Sequence, residues 1–100
     1  MIDIDMDFER ELHEILTVLD PLNKAGVIEM LFRLRKEETK IGDFSRKYRM
    51  HSQTAKDASD ILLERGMITI RKEGRKKILK LSEKGNLLVE IMIKIEDIMK

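Results

Sequence analysis

Met67 to Gly85 reads MITIRKEGRKKILKLSEKG. Apolar and polar residues alternate from Met67 to Lys72 and again from Arg75 to Leu81, on either side of Glu73-Gly74, a two-residue pair that signals a tight hairpin. The stretch therefore predicts two antiparallel strands, followed by Ser82 as the cap of a helix running to Met99. From Arg65 to Lys84 the chain carries eight lysines and arginines against two acids. An edge hairpin needs some charge to stay soluble, but this excess goes beyond that need.

Working back from the hairpin, Gly66 is a helix stop, and Ser52 is a fitting N-cap for a helix from Gln53 to Arg65. Ala55, Ala58, Ile61 and Leu62 form its buried side; Gln53, Thr54, Lys56, Asp57 and Asp60 form its outward face. A tight turn at Arg49-Met50-His51 separates it from a short helix carrying the i, i+4 pair Phe44 and Tyr48. Gly42-Asp43 is a turn and cap, and Thr39-Lys40-Ile41 a short strand. Leu22, Ala25, Ile28, Leu31, Phe32 and Arg35 share one face of a helix opened by Asp20-Pro21 and ending near Lys36, with Gly26 as its weak point. Phe8, Leu12, Ile15, Leu16 and Leu19 define a first helix, its start favoured by Asp3, Asp5 and Asp7.

One hundred residues, 42% apolar and 39% charged, suit one compact domain with a small core. The absence of cysteine excludes a disulfide framework and thiolate metal ligation, and His13 and His51 are too few for an ordinary structural zinc site. No apolar run approaches the roughly 18 residues that cross a bilayer, and the start of the chain is acidic where a targeting signal would be basic. A cytoplasmic protein without membrane contact is expected. The Lys/Glu-rich, cysteine-free composition also fits proteins from hot environments.

The formal net charge of +1 conceals a strong segregation: residues 1–20 hold seven acids and one base, the reverse of the hairpin. Charge sorted in this way points to a polyanionic partner on one surface, with the acidic end turned elsewhere.

The order helix, helix, short strand, helix, turn, helix, hairpin, helix describes a mainly α fold with a small antiparallel β-hairpin, an α+β winged helix-turn-helix with extra N-terminal and C-terminal helices. Residues 41–68, IGDFSRKYRMHSQTAKDASDILLERGMI, and 76–85, KKILKLSEKG, resemble the core of MarR-like and related small archaeal and bacterial transcription regulators. The resemblance spans about residues 22–85. It rests on a helix beginning near Ser-x-Thr, on Leu62 to Gly66 as its Leu-x-x-x-Gly end, and above all on Leu-Ser-Glu-Lys-Gly after the wing.

The resemblance implies double-stranded DNA as partner. The helix from Gln53 would lie in the major groove, with Gln53, Thr54, Lys56 and Asp57 toward bases and Ser52 and His51 toward the backbone. Arg46, Lys47 and Arg49 would hold phosphates. Arg71, Lys72, Arg75, Lys76 and Lys77 would form the wing, on the adjacent backbone or minor groove. Asp57 and Asp60 depart from the many recognition helices that carry Arg there; Asp57 could accept from cytosine, or hold Lys56 or Arg49. A weakly specific DNA-coating protein and a winged helix used for protein contacts are the alternative readings.

The last helix is apolar almost all round, and a helix of that kind must be buried all round. One small core covers only part of it. Leu88, Ile91, Met92, Ile95, Ile98 and Met99 are therefore expected to meet a twofold mate, the alternative being cover by the chain's own first helix. A single domain over 1–100 results, with its core at 21–82 and helices 7–19 and 83–99 as dimerisation elements.

Asp3, Asp5, Asp7 and Glu14 have calcium-loop spacing, but Phe8 stands where that loop needs Gly. His13 is flanked by apolar residues, and His51 has no evident nucleophile or carboxylate partner. No enzyme and no cofactor is expected, and any effector would be a small molecule held between helices, near the dimer helices if the resemblance holds.

Overall fold

A computed structural model of the chain describes residues 6–100. Helix α1 spans Met6–Leu19, and a one-turn 3-10 helix at Asp20–Asn23 leads to α2, Val27–Lys36. Strand β1 is Thr39–Lys40, α3 is Ile41–Arg46, α4 is Ser52–Glu64, β2 and β3 are Ile68–Glu73 and Lys76–Leu81, and α5 is Glu83–Met99. The sheet order is β1-β3-β2, antiparallel throughout, and α2, α4 and α5 pack against one another or against this sheet. It is the expected winged helix-turn-helix architecture, flanked by helices at both ends.

The expected second helix is shorter than its apolar pattern. Asp20-Pro21 ends α1, but the turn they open is 3-10, and Gly26 at φ 80° resets the chain so that α2 starts at Val27. That reset changes which residues face inward: Val27, Met30, Leu31 and Leu34 are buried, whereas Ile28 and Arg35 are exposed. Gly26 earns its place by closeness as well as by φ, because a Cβ there would lie 2.8 Å from Thr54 Cγ2.

Phe44, Met30, Leu31 and Leu79 fill the centre of the core, with Leu62, Ile68, Leu81 and Val89 around them. Ala55 and Ala58 let α4 lie close to α2 and α3, so the helix is fixed by its inner face while its outer face stays bare. At its end, Gly66 takes φ 73°; its N–H donates to Leu63 O at 3.0 Å, and the Met67 N–H donates to Leu62 O at 2.9 Å. That is a Schellman cap, and it turns the chain directly into β2.

Three local expectations change. α3 begins at Ile41 and ends at Arg46, so Gly42-Asp43 lies inside it and is neither turn nor cap, and Tyr48 lies beyond its end. The hairpin turn is Gly74-Arg75, one residue later than Glu73-Gly74, because Glu73 pairs with Lys76 and extends the ladder. Gly74 takes φ 64° at the first central position while Arg75 keeps a negative φ, the arrangement a type II′ turn asks of a glycine. The cap of α4 is His51 rather than Ser52: its Nδ1 accepts from the Gln53 N–H at 3.2 Å.

Ser82 caps α5 as expected, accepting from the Gly85 N–H at 3.1 Å. Its hydroxyl also donates to Gly66 O at 2.6 Å, and its N–H to Met67 O at 3.0 Å. Leu-Ser-Glu-Lys-Gly is thus a joint that locks the wing, the end of α4 and the start of α5 together.

α1 buries none of its described residues, and Leu12, Ile15, Leu16 and Leu19 are all exposed. The far half of α5 exposes Ile91, Ile95, Ile98 and Met99, while Leu88 and Met92 lean on the core. The radius of gyration is 16.4 Å, against about 13 Å for a compact domain of this length. Among the described residues no helix is long and apolar enough to cross a membrane. Asp3 and Asp5 of the calcium-like spacing lie outside the described residues; Asp7 and Glu14 are both inside α1.

Candidate nucleic-acid interface

The sequence-predicted site residues divide into groups, with Thr54 and Asp57 bordering a groove of their own beside Lys24 and Asp60. Arg46 from α3, Lys56 from α4 and Arg75, Lys76 and Lys77 from the wing tip line one open cleft of about 650 Å³, joined there by Lys40 of β1. Lys47 and Arg71 instead border a separate groove with Glu37, Glu38 and Tyr48. Lys72 lies opposite Lys77 across the hairpin, two like charges with no acid between them in the ladder.

α3 is anchored from within. Phe44 is fully buried, its ring centroid 5.9 Å from that of Tyr48, and the Arg33 guanidinium stacks 3.9 Å above the Tyr48 ring. Arg49 takes the left-handed φ of 58°, which makes the tight turn possible and lets the Met50 N–H donate to Phe44 O at 2.9 Å. Arg49 and His51 are left exposed on that turn. Ser45 donates to Ser52 across the helix-turn-helix at 3.4 Å.

Asp43, buried at the start of α3, accepts from Arg46 and pairs with Lys47 at 3.6 Å. The Arg46 guanidinium holds its carboxyl below the usual carboxylate range; burial opposes this, and Lys47 and Lys40 assist. A carboxyl whose folded pKa is depressed stabilises the fold above its unfolded value, about 4, and loses that contribution as pH falls through the folded pKa. The melting temperature of the unaltered protein should therefore exceed that of Asp43→Asn at pH 6, and the gap should shrink as the pH is taken below 4. A gap constant from pH 6 to 2 in calorimetry would contradict the ion pair.

On α4, Ser52, Gln53, Lys56 and Asp57 are exposed, and Thr54 is half-buried beside Gly26. Gln53 Nε2 donates to Asp57 Oδ1 at 2.8 Å, and Lys56 Nζ lies 3.4 Å from Asp60 Oδ2. Both acids that depart from the regulator pattern are partnered one turn back along the same helix. Asp57 holds Gln53, not Lys56 or Arg49.

In the wing, Arg71 donates to Glu73 at 2.8 Å and pairs with Glu38 ahead of β1. Those two carboxylates raise its pKa and tie the hairpin to the rest of the sheet. Arg75, Lys76 and Lys77 have no such partner among the described residues and project at the tip.

Lys40 is the residue that sequence reasoning missed. β1 pairs Lys40 with Ile78, which sets it on the same sheet face as Lys76 and diagonal to it. The nearness of Lys76 depresses the Lys40 pKa, chiefly as a side-chain contact and then by repulsion, with Asp43 opposing.

No family model and no curated protein matches the chain. Solved structures do. The chain is similar to reduced HlyU from Vibrio cholerae (17% identity, TM-score 0.68, over 89% of this chain and 95% of that one). It is likewise similar to the transcriptional repressor BigR from Xylella fastidiosa (19%, 0.69, 97% of each). A third is the homodimeric winged helix-turn-helix DNA-binding domain of Mb0332 from Mycobacterium bovis, a possible ArsR-family transcriptional regulator (18%, 0.71, 97% and 91%). These likenesses cover almost whole chains and show a winged helix-turn-helix fold.

Proposed function

We propose that this protein is a homodimeric DNA-binding transcription regulator that acts in the cytoplasm by binding rather than by catalysis. The observation that carries the reading is the cleft in which β1, α3, α4 and the wing present six cations around one acid, Asp43, already committed to Arg46 and Lys47. In this reading Ser52, Gln53, Lys56 and Asp57 face the major groove, with Thr54 at its edge. Arg46, Lys47, Arg49 and His51 bear on the backbone, and Lys72, Arg75, Lys76 and Lys77 carry the wing. Arg71 acts by holding the hairpin through Glu38 and Glu73. The Leu81 to Gly85 motif supports a MarR-like kinship; the likeness to Mb0332 supports the ArsR type at the level of architecture.

A twofold mate on α1 and α5 would cover Leu12, Ile15, Leu16 and Leu19 together with Ile91, Ile95, Ile98 and Met99, all exposed in the single chain. Mb0332, homodimeric by its description, supports this arrangement. Two recognition helices would then meet half-sites about 34 Å apart. Sedimentation equilibrium should give twice the 11.8 kDa chain mass at micromolar concentration. Ile95→Glu should weaken the dimer by about 3 kcal/mol, on the order of 100-fold. An 11.8 kDa species for the unaltered protein would remove the dimer.

Fluorescence anisotropy of a labelled mixed-sequence duplex, titrated at several salt concentrations, tests the whole reading: tight binding that collapses with salt is expected, and no binding at low salt overturns it. A second reading, DNA coating with little sequence preference, is favoured by the tethering of Gln53 and Lys56 to acids of their own helix. The ratio of specific to non-specific affinity separates the two.

A further inference from the structure

We infer that Lys40 and Lys76 form a two-lysine clamp for a single backbone phosphate of duplex DNA, at the point where the strand passes from the recognition helix to the wing. This deepens the DNA-binding reading and rests on it.

Two protonated amines are donors only, so neither can satisfy the other. Yet β1–β3 pairing holds this pair together on one sheet face. Two acids close to them are held mainly by other cations, and Asp43 offsets the repulsion on Lys40 only in part. Asp43 gives its oxygens to Arg46 and Lys47, and Glu73, directly opposite Lys76, gives its carboxylate to Arg71. What remains is a pair of like charges with no ion-pair acceptor among the described residues, in a cleft open to solvent. The lowered pKa of Lys40 has the same origin, first its side-chain contact with Lys76 and then the repulsion between the two charges. A phosphate oxygen set between them would convert that repulsion into two charge-assisted hydrogen bonds. Lys56, Arg75 and Lys77 line the same cleft and extend its positive surface beyond the pair, as a polymer requires and a free anion does not.

The test is a comparison of Lys40→Gln, Lys76→Gln, the double variant and Lys40→Arg by duplex anisotropy over a salt series. Lys40→Gln should weaken binding several-fold near 0.1 M salt and reduce the slope of log K against log salt by about 0.9, the value for one phosphate contact. Lys40→Arg should restore most of the loss. Because both lysines serve one phosphate, Lys40→Gln should do less damage in the Lys76→Gln background than alone. The Lys40→Gln protein should melt no lower than the parent, since a repulsion has been removed. Undiminished affinity and slope in Lys40→Gln, with Arg75→Ala still weakening binding, overturns the clamp and leaves the DNA interface standing. No effect of either variant, or no binding by the unaltered protein, overturns both.

Discussion

Gly85→Ala lowers the melting temperature by about 10 °C or more, although alanine is the better helix former. Gly85 is buried in the first turn of α5, and a Cβ on it would overlap the Met67 carbonyl oxygen and lie 3.0 Å from Leu81 Cδ2. Relief requires α5 to move away from the strand, and that movement pulls on the bonds from Ser82 to Met67 and Gly66. Overpacking of this kind costs about 1–3 kcal/mol, and each strained hydrogen bond adds about 1 kcal/mol. The helix-propensity gain of alanine, about 1 kcal/mol, offsets only part. A net loss of about 2 kcal/mol corresponds to the stated shift for a domain of this size. Gly42→Ala is the internal control: nothing lies within 4 Å of its Cβ position in α3, so it should be neutral or stabilising. A Gly85→Ala protein melting with the parent would show that the joint yields freely.

That joint gives Leu81 to Gly85, the most distinctive part of the resemblance, a structural role. The motif sets the angle between hairpin and α5, and so relates the wing to the helix proposed to form the dimer. Features coded by neighbours were legible in the same way: the hairpin from alternation around a glycine, the end of α4 from Gly66, the start of α5 from Ser82. Features that depend on distant partners were not. Thr39-Lys40 could be read as a strand, but its pairing with β3, and with it the position of Lys40 beside Lys76, exists only once the sheet assembles. The break at Gly26 depends on the approach of Thr54 from α4. In the sequence Arg71 is interchangeable with the other wing cations; in the fold Glu38 and Glu73 hold it. Charge counting locates a basic surface well; it cannot say which cations are already answered.

The triple variant Arg75→Ala, Lys76→Ala, Lys77→Ala should weaken binding to every duplex on the order of 100-fold near 0.1 M salt, if each exposed cation contributes about 1 kcal/mol after screening. The salt slope should fall by up to about 2.7, or 0.9 for each phosphate no longer neutralised. All three residues are exposed at or beside the turn, and none is in an ion pair among the described residues, so the fold should be untouched and circular dichroism melting should confirm it. Gln53→Ala provides the contrast. Its amide is oriented by Asp57 and keeps one N–H and its oxygen for a base, the two groups a bidentate contact to adenine uses. Its loss should leave affinity for mixed-sequence duplex nearly unchanged and reduce discrimination at one base pair about tenfold or more. The two variants therefore act on different quantities, general affinity for the first and specificity for the second. If the triple variant binds with the affinity and slope of the parent, the wing is not part of the interface and the cations of its tip serve another purpose. If it weakens as expected while Gln53→Ala changes no preference at any site, the basic surface is real and the recognition helix reads little, and the DNA-coating reading becomes the better description of this protein.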